Sequence, residues 1–240
     1  MLPLFFVSEI SESASLTITG DEAHHAITVT RLSVGDQVML SDGQGTWAQG
    51  AISVVDKKSF SVVVSERGTE EVSSPRLSVV QALPKSDRVK EAIELMVEAG
   101  ADRIIPWAAA RSISKWQSDA QIKWQVTAQT ATKQSRRKFI PEVLDIHSTI
   151  EIAAKVAPGS SVLVLHEEGS QKISSVDRDQ LLACQEIYLV IGPEGGISPE
   201  EIDRFTEAGT TVVRLGVPVL RSAHAAIAGL AAVQTLIGRW

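Results

Sequence analysis

The chain has 240 residues, 44% of them hydrophobic and 22% charged, with a formal net charge of −6. That is ordinary globular composition at a length suited to one large domain or two small ones. Its one cysteine, Cys184, excludes a disulfide within the chain and counts against a thiolate metal site. A reducing, cytoplasmic compartment is the natural expectation.

No apolar stretch reaches the length of a membrane span. The N-terminal run Leu2–Val7 lacks the basic flank of a secretory signal. The five histidines show no ligand spacing, so neither a membrane nor a metal is expected as a partner. Charge is unevenly spread. Residues 85–138 hold eleven of the 23 Lys+Arg but only six of the 29 Asp+Glu. A basic segment in an acidic protein suggests a localised anionic partner; solvated helix faces are the plainer account.

Along the chain, Leu4–Val7, Ser15–Thr19, Asp36–Leu40, Thr46–Val55 and Ser59–Ser65 read as short strands rich in β-branched and aromatic residues. Asp42-Gly43-Gln44-Gly45 marks a hairpin turn. One helical piece, Glu22–Arg31, interrupts them, and together they suggest a small barrel. The polar stretch Glu66–Arg76 reads as a linker.

Beyond it the pattern alternates. Strands are expected at Leu77–Leu83, Arg103–Trp107, Glu142–Ile146, Ser161–His166, Ile187–Ile191 and Thr211–Leu215. Helices are expected from Ser86 to Gly100, then at Asp119–Gln134, from Ser148, and at Asp177–Ala183, Pro199–Ala208 and Ala223–Gly238. Pro106 places its strand at an edge or its residue at a strand end. Repeated β–α units predict a parallel sheet covered on both faces. The small-residue run Ala223–Ala232 suits either a tightly buried helix or one packed against a second subunit.

The most informative segment is Gly192-Pro193-Glu194-Gly195-Gly196. It follows the apolar run Ile187–Ile191 and precedes a capping box, Ser198 with Glu201, with Pro199 at the first helical position. A glycine loop between a strand's carboxyl end and a helix's amino end is a ligand-binding place in open α/β sheets. Its spacing is that of neither a dinucleotide fingerprint nor a P-loop. Two similar junctions follow other strands: Leu215–Ser222, where Ser222 is a plausible helix cap, and Ala82–Arg88.

These segments carry a family resemblance. ALPKSDRVKEAIELMVEAGADRIIPWAAARS (82–112), KQSRR (133–137), VIGPEGGISPEEI (190–202) and LGVPVLRSAHAAIAGLAAVQ (215–234) resemble the SPOUT class of S-adenosylmethionine-dependent RNA methyltransferases. Within it the match is to the RsmE family, which methylates N3 of a uridine in small-subunit (16S) ribosomal RNA. HHAITVTRLSVGDQVMLSDGQG (24–45) is similar to that family's PUA-like barrel. The resemblance implies an RNA-binding barrel over residues 1–72 and, over 73–240, a parallel-sheet α/β domain with a trefoil knot. It implies a homodimer, and ribosomal RNA or the small ribosomal subunit as partner.

It further implies that S-adenosyl-L-methionine is held by Leu165, His166 and Glu167, by Ile191, Gly192, Pro193, Glu194, Gly195 and Gly196, and by Leu215, Gly216, Val219, Leu220 and Ser222. Arg221 is then a candidate to stabilise negative charge on the uracil oxygens. His224 is a candidate base, or a packing residue. Glu194 either meets the cofactor's charge or caps its own loop. Phosphate contacts are expected of Arg31, Lys85, Arg88, Arg111, Lys133, Arg136, Arg137 and Lys138. His24 and His25 could stack on bases or pack in the barrel.

The chain departs from the family pattern at Ser222-Ala223-His224, at Lys133, and in lacking an arginine before Phe5-Phe6. A non-catalytic RNA-binding protein on the same scaffold is the competing reading.

Overall fold

A computed structural model of the chain describes residues 2–240. They form two compact units. The first runs to Val72 and takes in Thr132–Ile140; the second holds Ser73–Ala131 and Pro141–Trp240.

The first unit is a five-stranded sheet, β1 (Leu4–Phe6), β2 (Ser15–Thr19), β3 (Gln37–Ser41), β4 (Thr46–Val55) and β5 (Ser59–Thr69), in the order β1-β3-β4-β5-β2. Alternation drives it: Val38 and Leu40, and Phe60 and Val62, point to one side and pack with Phe5, Ile18 and Ile52. Among the described residues no ladder joins β1 to β2, so the expected barrel is a curled sheet with two edges. Between β2 and β3, helix α1 (Gly20–His24) passes directly into a π-helical turn, His25–Val29. His25 packs tilted against Phe5 with ring centroids 6.4 Å apart, while His24 is exposed.

The expected linker begins too early. Glu66–Thr69 continue β5 opposite Thr46–Gln49, because backbone pairing outweighs the polar side chains there. The added segment 132–140 closes the unit. The Gly45 N–H donates to the Lys138 carbonyl at 3.2 Å, and the Ile140 N–H to the Gly43 carbonyl at 2.9 Å.

The second unit is a seven-stranded, wholly parallel sheet. Its strands are β6 (Arg76–Ala82), β7 (Arg103–Trp107), β8 (Glu142–Val143), β9 (Ser160–Leu165), β10 (Gln171–Lys172), β11 (Glu186–Ile191) and β12 (Thr211–Arg214), ordered β10-β12-β9-β11-β6-β7-β8. Each central strand is apolar on both faces. Leu77 and Val79 of β6, with Ile187 and Leu189 of β11, pack under α2 (Val89–Glu98), α3 (Ala120–Ser135), α5 (Arg178–Leu182) and α7 (Ser222–Ile237). Val80, Val164 and Val190 face the other way, toward Ile152 of α4 (Thr149–Ala153) and Phe205 of α6 (Pro199–Glu207). Double coverage of this kind is what a parallel sheet requires.

Local signals resolve unevenly. Both capping boxes form, at Ser148 with Glu151 and at Ser198 with Glu201. Ser86, expected to cap α2, instead opens a 3-10 turn, and α2 begins at Val89 without a side-chain cap. Pro106 does sit at a strand end. Its carbonyl accepts from His147 N–H, on the side where β8 has already stopped, so its missing N–H leaves the β6 ladder intact. The strand expected to reach Ile146 covers only Glu142–Val143. Asp145 Oδ1 instead accepts from the N–H of Ile146 and from Nε1 of Trp116.

Candidate active site

The order of the sheet prepares a crevice. From β6 the chain moves outward to β7 and β8, whereas β9 and β12 lie on the opposite side, and β11 is laid between the two halves. Ligands of open α/β sheets bind outside the carboxyl ends of strands where the order reverses. A cleft of about 330 Å³ lies at that place. Its walls are the segments after β9 (Leu165–Glu167), after β11 (Ile191–Ile197) and after β12 (Leu215–Ser222).

Each wall is shaped by its sequence. In the first, His166 N–H donates to the Val213 carbonyl at 2.9 Å and its Nδ1 accepts from Glu168 N–H at 3.2 Å, which ties the end of β9 to β12. In the second, the Gly196 N–H closes a turn onto the Pro193 carbonyl at 2.9 Å, with Gly196 at a φ of 74° that favours glycine. A Cβ on Gly192 would come within 2.7 Å of Ile197 Cγ1, so a larger residue here would force the Ile197 side chain or the loop to shift. The Ser198 hydroxyl and Glu201 then start α6 directly behind the loop.

The third wall is open. Val217 is 97% and Val219 75% exposed, and Arg221 is exposed at its end. The Arg221 guanidinium has no ion pair among the described residues, so its charge remains available to a ligand. Ser222 is buried as the first residue of α7; Arg221 holds the cap position. The Ser222 hydroxyl, expected to cap the helix, donates to the Gly192 carbonyl at 2.7 Å.

The cleft therefore gathers most residues singled out from sequence: Leu165, His166, Glu167, Ile191, Gly192, Pro193, Glu194, Gly196, Leu215, Gly216, Val219, Leu220, Arg221 and Ser222. Gly195 lies outside it. Its carbonyl accepts from Arg111 Nη1 at 3.2 Å, and a Cβ there would meet the Arg111 Cβ at 3.1 Å. His224 is also outside, which favours the packing alternative over the base. One residue past the buried Ala223 its ring faces α2, with Nε2 3.7 Å from Glu91 Oε1. Arg88 donates to the same carboxylate at 2.8 Å, and its hydrogen bond is the main cause holding the Glu91 carboxyl below the usual range. Pro218, within the expected Leu215–Leu220 loop, also lines the cleft; Ile197 and Ala225 complete the lining and were not anticipated, since the pattern of loop residues carries no signal for them. The third glycine-poor junction, 82–88, contributes indirectly: the Lys85 N–H lies 3.5 Å from Glu194 Oε1.

The cations expected to meet phosphate differ in their freedom. In the second unit Lys85 is exposed, Arg111 bears on Gly195, and Arg88 is held by Glu91 and Asp87. In the first unit Arg31 and Arg136 both have a φ of 57°. Lys138 lies over the Trp47 ring at 4.3 Å and pairs with Glu70 at 3.3 Å. Lys133 is a correction. Its Nζ contacts both Glu22 carboxylate oxygens, at 2.8 and 2.9 Å, and its side chain is largely buried, so it serves the interior of the unit. Trp107 and Trp124 are core residues, and Trp116 packs edge-on against Trp124 at 5.3 Å.

A parallel α/β sheet with a glycine-walled cleft at its switch point places the second unit in the general class of ligand-binding α/β folds. Comparison narrows the class. Residues 71–234 match the model of an RNA methyltransferase domain, and residues 18–65 that of an RNA methyltransferase PUA domain. A ribosomal RNA small subunit methyltransferase E of Mycobacterium bovis is 39% identical, over 99% of this chain and 93% of its own. One from Bacillus subtilis is 31% identical over 94% and 92%. The crystal structure of the corresponding Neisseria gonorrhoeae protein, bound to S-adenosyl methionine, superposes with a TM-score of 0.86 at 26% identity, covering 98% of both chains. The chain belongs to the ribosomal RNA small subunit methyltransferase E family, RsmE, of RNA methyltransferases.

Proposed function

We propose that this protein transfers a methyl group from S-adenosylmethionine to N3 of a uridine in 16S ribosomal RNA. The observation that carries the reading is the convergence of two glycine-bearing loops, 192–196 and 215–222, on one cleft with the exposed Arg221 at its lip. The cleft suits the group. Its volume lies within the usual range for nucleoside-sized ligands. Its edges offer backbone groups for hydrogen bonding, and the Glu167 and Glu194 carboxylates can face a cation.

When bound, S-adenosylmethionine supplies an electrophilic methyl group on a cationic sulfur. The chain's part is to hold and align. Gly192–Glu194, Gly196 and the Leu215–Leu220 loop would present backbone to the cofactor, and Leu165–Glu167 would close the third side. Alignment of a nucleophile with a sulfonium methyl is a large share of such catalysis. Uridine N3 must lose its imide proton before it attacks, which places negative charge on the uracil oxygens. The Arg221 guanidinium stabilises that charge.

Residues 1–72 would help to grip RNA, and phosphate contacts would come from Arg31, from Arg136 and Arg137 of the added segment, and from Lys85 and Arg111 of the second unit. The proposal includes a homodimer, a cytoplasmic location and a trefoil knot in residues 73–240, all resting on the family resemblance. Mass spectrometry of ribosomal RNA from a deletion strain tests it. A single 3-methyluridine should vanish from 16S RNA and return when purified protein and S-adenosylmethionine are added. An unchanged modification profile would refute it.

A further inference from the structure

Gln81 stands at the carboxyl end of β6, opposite Ile191 of β11 and Pro106 of β7, and is fully buried. Its Nε2 donates to the Ser222 Oγ at 2.8 Å and to the Ala82 carbonyl at 3.0 Å. The Ser222 Oγ in turn donates to the Gly192 carbonyl at 2.7 Å. The direction of this relay is forced. Ser222 has one hydroxyl proton, and a carbonyl can only accept, so that proton goes to Gly192. The hydroxyl oxygen then needs a donor, which is the amide NH₂ of Gln81.

The relay reaches both glycine-bearing walls. Gly192 belongs to the loop after β11, Ser222 to the loop after β12, and both line the cleft. Gln81 does not line it, so it acts on the cleft only through Ser222. Its own Oε1 is buried with no hydrogen-bond partner among the described residues. An apolar side chain here would avoid that orphaned oxygen but would take the donor from the Ser222 hydroxyl oxygen and the Ala82 carbonyl, so the glutamine's effect on the cleft has to be read from affinity and melting together.

We propose that Gln81 is a positioning residue that holds the 192–196 and 215–222 loops at the separation the methyl donor needs. This deepens the S-adenosylmethionine reading and rests on it.

Calorimetric titration of the full chain with S-adenosylmethionine tests the relay, alongside melting curves taken without ligand. Gln81→Leu and Ser222→Ala are each expected to weaken binding about tenfold. The double variant is expected to lose no more than either single one, because the two side chains act as a unit. Ser222→Thr keeps the hydroxyl and should restore binding to within about twofold of the unsubstituted chain. Melting temperatures should not rank with affinity. Should Gln81→Leu fail to fold, Gln81→Met serves in its place. Additive losses, unchanged affinity, or an affinity loss that follows the melting temperature and is not restored by threonine would overturn the assignment. The unsubstituted chain keeps the two claims apart: its failure to bind sinks both, whereas binding by it and equal binding by the variants sinks this one alone.

Discussion

Arg221 is the residue whose chemistry is most directly testable. It is exposed at the lip of the cleft with its guanidinium unpaired among the described residues. Arg221→Ala should lower kcat about 100-fold or more, the range for removing one preorganised charge-stabilising group. S-adenosylmethionine affinity should hold within about threefold; full turnover would remove Arg221 from the mechanism. His224→Ala, by contrast, should leave turnover within about threefold, since its ring lies against Glu91 outside the cleft.

Tyr188, the chain's one tyrosine, is buried in β11, and burial, helped by its bond to Glu186, pushes its phenol up to about 12. The folded state thus keeps a proton that the unfolded chain releases from about pH 10. This contribution to stability is complete below pH 10 and is lost as pH rises from about 10 to about 12. Ultraviolet titration of the native protein should show no tyrosinate until above pH 11; ionisation near 10 would contradict the burial.

At the scale of elements, α7 is the informative one. A Cβ on Gly229 would approach Leu189 Cδ2 at 2.6 Å and Leu165 Cδ1 at 2.9 Å, so the small residue lets the helix lie close on β11 and β9. Gly229→Val should destabilise by roughly 1–3 kcal/mol, since it overpacks this contact. A thermal melt that matches the unsubstituted chain would show that the helix does not need a small residue at this contact. At this position the small-residue run serves the core of its own unit; the partner-subunit account of it remains part of the proposal.

Most helices and central strands were legible because their signals are local. Ser198 with Glu201 specifies a helix start through bonds three residues apart, and Ile187–Ile191 reads as a buried strand from composition alone. The misjudged elements depend on distant partners. Glu66–Thr69 look like linker until β4 is beside them, and Ser222 looks like a cap until Gly192 accepts its proton.

At the scale of the molecule, the division into units follows contacts and not chain order. Thr132–Ile140 belong with the residues before Val72, through the Lys133–Glu22 pair and the Gly43 and Gly45 bonds. A fragment ending at Val72 should therefore melt without cooperativity or well below the intact protein, as followed by circular dichroism. A sharp transition at the parent temperature would show that the added segment is dispensable.

The chain's own pattern determined the α/β class, the parallel sheet and the three strand-end loops, because periodicity and capping act within a few residues. Only the tertiary structure decided which of those loops share a cleft, that His224 faces Glu91 outside it, and that Lys133 serves Glu22. Each of these depends on where residues far apart in sequence come to lie: the order of strand pairing brings the loops to one cleft, and helix packing sets the two side-chain pairs.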